Sequence, residues 1–447
     1  MELGQIEAGA LLLVLLFLVL GLGVWIGLAL MGVGLAGVVA LPWLIPAMPT
    51  FPAEKVMGTA IWQSLASWTL AALPLFIWMG EILFRTRLSE DMFRGLAPWV
   101  QRLPGRLMHV NVLGCGLFAA VSGSSAATAA TVGKMSLPAL AARGYHLPMA
   151  SGSLAGAGTL GLLIPPSIVM IVYAVAAEVS IVRLFIAGVV PGLLLVVLFS
   201  GYIAAWSLLN PALTPPRDPP MPLRARLRES AGLIPVVLLI GFVMAAIYLG
   251  FATATEAAVF GVAGALALSA WGGSLTRASF SASLMGAVRL SCMINLILAG
   301  AAFLTQAMAY SGIPAAMAAW VGAQGFSPYA VVAVLTLVYL VLGCFVDGIS
   351  MIVLTASVVL PIVAATGFDL VWFGIFVVMV VELAQITPPV GFNLFVLQGL
   401  TGRSILAVAR DTLPFFVLML VAVAIVTVFP GLVTWLPSTM MGGAAGG

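Results

Sequence analysis

Polar side chains are sparse along this chain and come in clusters. Between the clusters lie apolar stretches, roughly at 8–30, 31–48, 60–84, 105–141, 147–178, 184–208, 231–250, 254–271, 283–309, 327–365, 370–400 and 412–434. A helix of about 20 apolar residues crosses the roughly 30 Å hydrocarbon layer of a bilayer. The runs are continuous, whereas barrel strands alternate. The pattern predicts an all-α polytopic membrane protein with about ten or eleven full spans. Segments 86–102 and 274–289 look amphipathic and predict connecting arms lying in the interface. Thr253 or Thr255, followed by Glu256, reads as the cap of a further span.

Two runs are too long for one span and weak in the middle. Residues 105–141 break at Ser122 to Ser125, and residues 327–365 break at Val346 to Ser350. Each arm of the first, at about 16 residues, rises only about 24 Å. Both runs read as re-entrant helical hairpins whose polar tips stop inside the membrane. Two other runs, 147–178 and 370–400, carry a diproline in an apolar setting, Pro165-Pro166 and Pro388-Pro389. Proline removes a donor and clashes with the preceding turn, at a cost of roughly 3 kcal/mol. Such broken helices are tolerated at membrane depth where they pack in protein or line a wet cavity.

These irregularities recur. Pro138 and Pro361, Gly144 and Gly367, and Pro165 and Pro388 are each separated by 223 positions. A constant offset indicates an internal repeat. Residues 1–208 make the first copy, 231–447 the second, and the Pro- and Arg-rich linker 209–230 joins them.

Charge orients the copies. The chain is 63% hydrophobic and 7% charged, with a mean hydropathy of +1.23, which excludes a soluble domain. The net charge of +3 does not point to nucleic acid, because the few charges sit in loops. Arg85, Arg87, Arg94, Arg102 and Arg106 fall in 84–106, and Arg217, Arg224, Arg226 and Arg228 in the linker. Both regions are expected on the cytoplasmic side. Lys134 and Arg143 fit a cytoplasmic entrance for the first hairpin, whereas the second copy has no Lys or Arg between Arg289 and Arg403. Corresponding loops therefore face opposite sides, and the copies are inverted, as in secondary transporters. Cys115, Cys292 and Cys344 have no metal-ligand spacing. The N-terminus carries Glu2 and Glu7 and no basic n-region, so the first run reads as a retained span.

Broken helices free carbonyls, which are hard ligands for a cation, and create helix N-termini that favour anions. Two breaks and two hairpin tips are expected to converge at the midplane. Ser122, Ser124, Ser125 and Thr128 offer hydroxyls to an ion or substrate. The small-residue stretch from Ser151 to Gly161 lets the hairpin slide or seat against it, with Thr159 facing the break. Asp347 reads both as a functional acid and as the N-cap of the arm that follows, roles that can coexist. Glu382 reads as a coupling-ion or proton site, or as a structural hydrogen bond to a neighbouring helix. Gln385 and Asn393 flank the same break with amides.

The stretches VSGSSAATAATVGKMSLPALAARGY, SGSLAGAGTLGLLIPPS, GFATATEAA, VDGISMIVLTASVVLPI and ELAQITPPVGFNLFVL resemble the large membrane subunit of TRAP transporters, the DctM type, over nearly the whole chain. One departure is Ala254, where the family's Thr-Pro-Thr pattern places proline; it alters a loop. The resemblance implies a sodium-coupled, elevator-type importer of the bacterial inner membrane. A transport domain holding both hairpins moves against a scaffold. It implies a four-helix membrane subunit of the DctQ type, a separate chain here because the repeat begins almost at the N-terminus. It also implies a periplasmic binding protein of the DctP type that delivers an organic acid: a C4-dicarboxylate, a keto acid or a sialic acid. Carried over, Na+ ligation falls on Ser122, Gly123, Ser124, Gly158, Thr159, Pro165, Asp347, Gly348, Thr387 and Pro388. Substrate contact falls on Ser125, Thr128, Ser350, Glu382, Gln385 and Asn393.

Two rival readings stand beside this one. A stand-alone sodium/anion symporter shares the design without a binding protein. An intramembrane protease needs a Ser–His pair or two acids sharing a proton. His109 and His146 lie near the expected cytoplasmic ends, far in depth from Ser124, and Asp347 and Glu382 are the only deep acids.

Overall fold

The computed structural model describes residues 4–44, 50–86, 88–216, 221–388 and 391–441. Glu2, Arg87, Arg217 and Pro389 lie outside the described residues. No strand occurs among the described residues.

The chain opens with α1 (Gln5–Gly21), α2 (Ile26–Leu44), α3 (Ala53–Leu65) and α4 (Ala72–Phe84). A polar-faced helix, α5 (Leu88–Val100), leads into α6 (His109–Ser122) and α7 (Ser125–Ala142). The first copy continues with α8 (Leu147–Gly158), α9 (Leu160–Leu163), α10 (Ile168–Ala176) and α11 (Ile181–Leu209). The linker holds α12 (Leu223–Ser230), followed by α13 (Ile234–Tyr248) and α14 (Ala254–Trp271). Next come α15 (Arg277–Ser311), α16 (Ile313–Ala323), α17 (Pro328–Leu342) and α18 (Gly348–Ala365). The chain closes with α19 (Leu370–Gln385), α20 (Phe392–Thr401), α21 (Ile405–Val428) and α22 (Gly431–Met441).

Local chemistry sets the helix starts. Thr253 caps α14 in a capping box with Glu256, the Glu256 Oε2 accepting from the Thr253 N–H at 2.8 Å. Ser180, Ser327 and Ser404 cap α11, α17 and α21, each hydroxyl accepting from the backbone N–H three residues on. Residues 274–289 are not a separate arm. Thr276 caps a continuous 35-residue helix, α15, and nothing between Arg277 and Ser311 stops it. The linker helix α12 docks on α5: Trp99 Nε1 donates to Ser230 Oγ at 2.8 Å, and Arg94 pairs with Glu229 at 3.5 Å.

Among the described residues six helices are singly long and apolar enough to cross a bilayer, or up to nine if each bent pair is one span. The expected ten or eleven spans exceed this. Breaks cut several apolar runs into helices of 10–17 residues, such as α17, α19 and α20.

The offset seen in the sequence persists in space. The helices α7 and α18 are both 18 residues long, and their first residues, Ser125 and Gly348, are 223 positions apart. So are the first residues of α8 and α19, Leu147 and Leu370. Contacts between the copies run in opposite directions. A methyl added to Gly374 would meet Tyr173, the Glu382 carboxylate meets Leu162, Asn393 lies beside Gly158, and Leu400 and Leu154 both face Gly133. As one broken helix ascends from 374 to 400, the other descends from 173 to 154. The two broken helices are antiparallel along their length, the relation that an inverted repeat requires.

Candidate functional site

The first hairpin turns at Gly123. Its φ of +57 closes α6 in a left-handed cap that a side chain would strain. A methyl on Gly114 would sit 3.6 Å from Val132; in a straight helix these residues would be about 27 Å apart. The chain therefore folds back on itself. At the tip, Ser124 caps α7, with Ala127 N at 3.5 Å. Ser122 Oγ lies 2.6 Å from Thr128 Oγ1, and both hydroxyls reach the Ser124 carbonyl, at 3.2 and 2.8 Å. Ser125 is buried under the break of the same copy. That seat depends on Gly161, where a methyl would lie 2.7 Å from the Ser124 carbonyl.

The second hairpin turns between α17 and α18, where Tyr339 Oη lies 2.7 Å from Thr355 Oγ1. Asp347 caps α18: its Oδ2 accepts from Ile349 N at 3.1 Å and Ser350 N at 3.3 Å, and Ser350 Oγ donates to its Oδ1. The capping role is thus realised, with the carboxylate itself exposed. The side chain of Phe345, beside it at the tip, is also exposed. Gly348 packs where a methyl would be 2.6 Å from Val381, 3.2 Å from Gln385 Nε2 and 3.5 Å from Leu162. This tip therefore touches both broken helices.

At the first break α8 ends at Gly158, and the chain crosses Ile164, Pro165 and Pro166 before α10, bending by 44°. The Pro165–Pro166 peptide is cis. Ser167 Oγ caps α10 through Met170 N at 3.3 Å. At the second break, Thr387 Oγ1 donates to Leu383 O at 2.8 Å and α20 restarts at Phe392.

Glu382 ties the two breaks together. Its Oε1 accepts from Leu162 N at 2.9 Å, an N–H freed where α9 is too short to bond it internally. Its Oε2 has no partner among the described residues, although the residue is fully buried. Asn393 is also fully buried, with neither amide atom hydrogen-bonded among the described residues, its Nδ2 3.6 Å from where a methyl on Gly158 would stand. Each unsatisfied buried group costs about 1–3 kcal/mol. An ion or a water between the breaks can complete the bonding of such groups. The donor set is carboxylate, amide, hydroxyl and carbonyl oxygen, which suits a hard cation. Among the described residues no three His, Cys, Asp or Glu side chains gather.

The structure brings Ser122, Gly123, Ser124, Ser125, Thr128, Gly158, Pro165, Gly348, Glu382, Gln385 and Asn393 around the crossed breaks. Other side chains are engaged locally. Thr159 Oγ1 bonds the Gly156 carbonyl of its own helix, Thr387 bonds Leu383, and Ser350 serves Asp347. Pro388 is exposed beside the second tip, its carbonyl 3.7 Å from Cys344 Sγ. His109 Nε2 sits 2.6 Å from Pro104 O, and His146 stacks on Trp206; among the described residues neither is paired with a serine or an acid. Gly161 closes the small-residue stretch on which the sequence seats the hairpin; what sequence reasoning missed is a polar cluster at one end of the bundle. There Ser151 Oγ donates to Asp411 Oδ2 at 2.9 Å and Arg403 pairs with Asp411. An acid eight residues after an arginine across a helix start was the available signal.

A profile of the tripartite ATP-independent periplasmic transporter, DctM component, matches residues 13–432. The chain belongs to this family. The C4-dicarboxylate TRAP transporter large permease protein DctM of Pseudomonas aeruginosa is 34% identical over 87% of this chain and 91% of its own. The ectoine/5-hydroxyectoine large permease UehC of Ruegeria pomeroyi is 30% identical over 81% of this chain and 84% of its own. The crystal structure of the Alcanivorax borkumensis YdaH transporter superposes with a TM-score of 0.60 at 14% identity, over 94% of this chain and 98% of that one. That likeness is one of fold. A DctM-family chain is a multi-pass permease, and its relatives are transporter subunits rather than enzymes.

Proposed function

We propose that this DctM-family permease imports an organic acid, coupled to Na+, across the bacterial inner membrane. The observation that carries the reading is the crossing of two antiparallel broken helices, where Glu382 Oε2 and both Asn393 amide atoms lie buried without partners among the described residues. A sodium ion there meets hard oxygens, and its charge offsets that of the carboxylate. Both hairpin tips seat on the broken helices, so these elements can move as one body against α2 and α15. This supports an elevator motion. A periplasmic binding protein delivers the solute, and a separate small membrane subunit braces the scaffold; the family assignment supports both.

Proteoliposomes holding this chain, its small partner and the binding protein test the proposal. Uptake is expected only with an inward sodium gradient, and only with the binding protein outside. Uptake that persists without the gradient would overturn sodium coupling. Uptake that persists without the binding protein would favour the stand-alone symporter.

A further inference from the structure

A cavity of about 610 Å³ lies away from the crossed breaks, between α3 and α15 on one side and the ends of α10 and α18 on the other. The register of the broken helices puts it at the end opposite the Arg403–Asp411 cluster: Tyr173 Oη near the end of α10 donates to Leu370 O at the start of α19. Its size suits a small solute. Its lining includes Gln63, Ser64, Thr305 and Gln306, none of which makes a side-chain hydrogen bond among the described residues, and Ser357 from the second hairpin. Gln63 and Thr305 are exposed to this space and Ser64 and Gln306 are half-buried, so their amides and hydroxyls are open to a solute in it.

Charge in this lining is one-sided. Among the described residues Glu178 is its only charged one, and no Lys or Arg contributes. Glu178 holds φ +54 at the end of α10, where Val179 N bonds Ala174 O at 3.0 Å. In that motif the left-handed position usually belongs to glycine. A glutamate is tolerated there at the cost of backbone strain, and its carboxylate stands at the cavity rim without an ion pair among the described residues. A dicarboxylate entering this space would face a like charge and no compensating base.

We propose that this cavity receives the transported solute and selects an organic acid that also carries a cationic nitrogen, a zwitterion rather than a dianion. The cationic end faces Glu178, and the carboxylate takes N–H and O–H donors from Gln63, Gln306, Ser64 and Thr305. The inference rests on the transport reading above and narrows its substrate class.

Calorimetry on the purified full chain in detergent with sodium present tests it, using glycine betaine and ectoine as zwitterions and succinate as the dianion. At least one zwitterion is expected to bind about tenfold more tightly than succinate. Glu178→Gln is expected to weaken the zwitterion about fivefold and not succinate, as one partly exposed charge contact would. Glu178→Asp keeps the charge and is expected to restore binding, while Gln306→Ala weakens zwitterion and dianion alike. Succinate binding more tightly than both zwitterions, no binding by any probe, or a Glu178→Gln variant that binds the zwitterion normally would overturn the proposal. Sodium-driven uptake is scored separately. Its loss with zwitterion binding intact removes the transport reading and leaves the cavity assignment standing. Sodium-driven succinate uptake without zwitterion binding does the reverse.

Discussion

At the scale of single residues, the site depends on close approach and on buried polar atoms. Gly161 lets the first hairpin tip lie against the break, and an added methyl would meet the Ser124 backbone at 2.7 Å. Gly161→Ala is therefore expected to cost about 1–3 kcal/mol as overpacking, read as a lowered melting temperature in detergent. It should also lose uptake by displacing the tip. Glu382→Ala leaves the Leu162 N–H unpaired in a buried place and is expected to destabilise by about 1–3 kcal/mol, whereas Glu382→Gln keeps an acceptor and melts near wild type. Asp347 separates structure from function more cleanly. Asp347→Asn preserves a capping side chain and is expected to fold normally, with a stability change of less than about 1 kcal/mol. Sodium-dependent uptake is nevertheless expected to fall in Asp347→Asn as in Asp347→Ala; full uptake by the Asn variant would reduce the residue to a cap. The sequence exposed Asp347 and Glu382 because an acid in an apolar run is conspicuous. It could not show that Glu382 bonds a backbone N–H 220 positions away.

At the scale of elements, the two hairpins are related by repeat but not by packing. In α6 ten of fourteen residues are buried, whereas in α17 five of fifteen are. The first tip is sealed against its own break, and the second presents Phe345 and Asp347 outward. Opening free energies follow such differences in buried contact. Hydrogen exchange of the full chain in detergent is expected to be faster in α17 and the second tip than in α6 and the first tip. Equal protection would contradict this asymmetry. The hairpins and breaks were legible because prolines, glycines and hydroxyls interrupt apolar runs. The continuity of α15 was not, because the start of the run at Arg277–Arg289 looks like an arm until its packing against α2 and α4 is known.

At the scale of the whole molecule, the antiparallel crossing is braced at one end by a polar cluster. Asp411, with a side-chain relative exposure of 9%, accepts from Ser151 and pairs with Arg403, joining α8 to the start of α21. Removing the acid leaves a cation without its partner. Asp411→Ala is expected to cost about 1–3 kcal/mol, discounted for the partial exposure of Arg403, and to lower the melting temperature. The opposite end holds the cavity rimmed by Glu178, so brace and cavity lie at opposite poles.

The sequence by itself determined the class of protein, the copy number of the repeat, its inversion and the positions of the interruptions. These follow from local chemistry: hydropathy sets the solvent, proline and glycine set the breaks, and arginine placement sets the side. Only the tertiary structure decided which interrupted segments face one another, that Glu382 and Asn393 are left with buried, unpartnered atoms, and that Gln63, Gln306 and Glu178 share one cavity. Those facts depend on distances between residues far apart in the chain. A hydropathy pattern fixes how each helix meets the bilayer but leaves open which neighbour it meets.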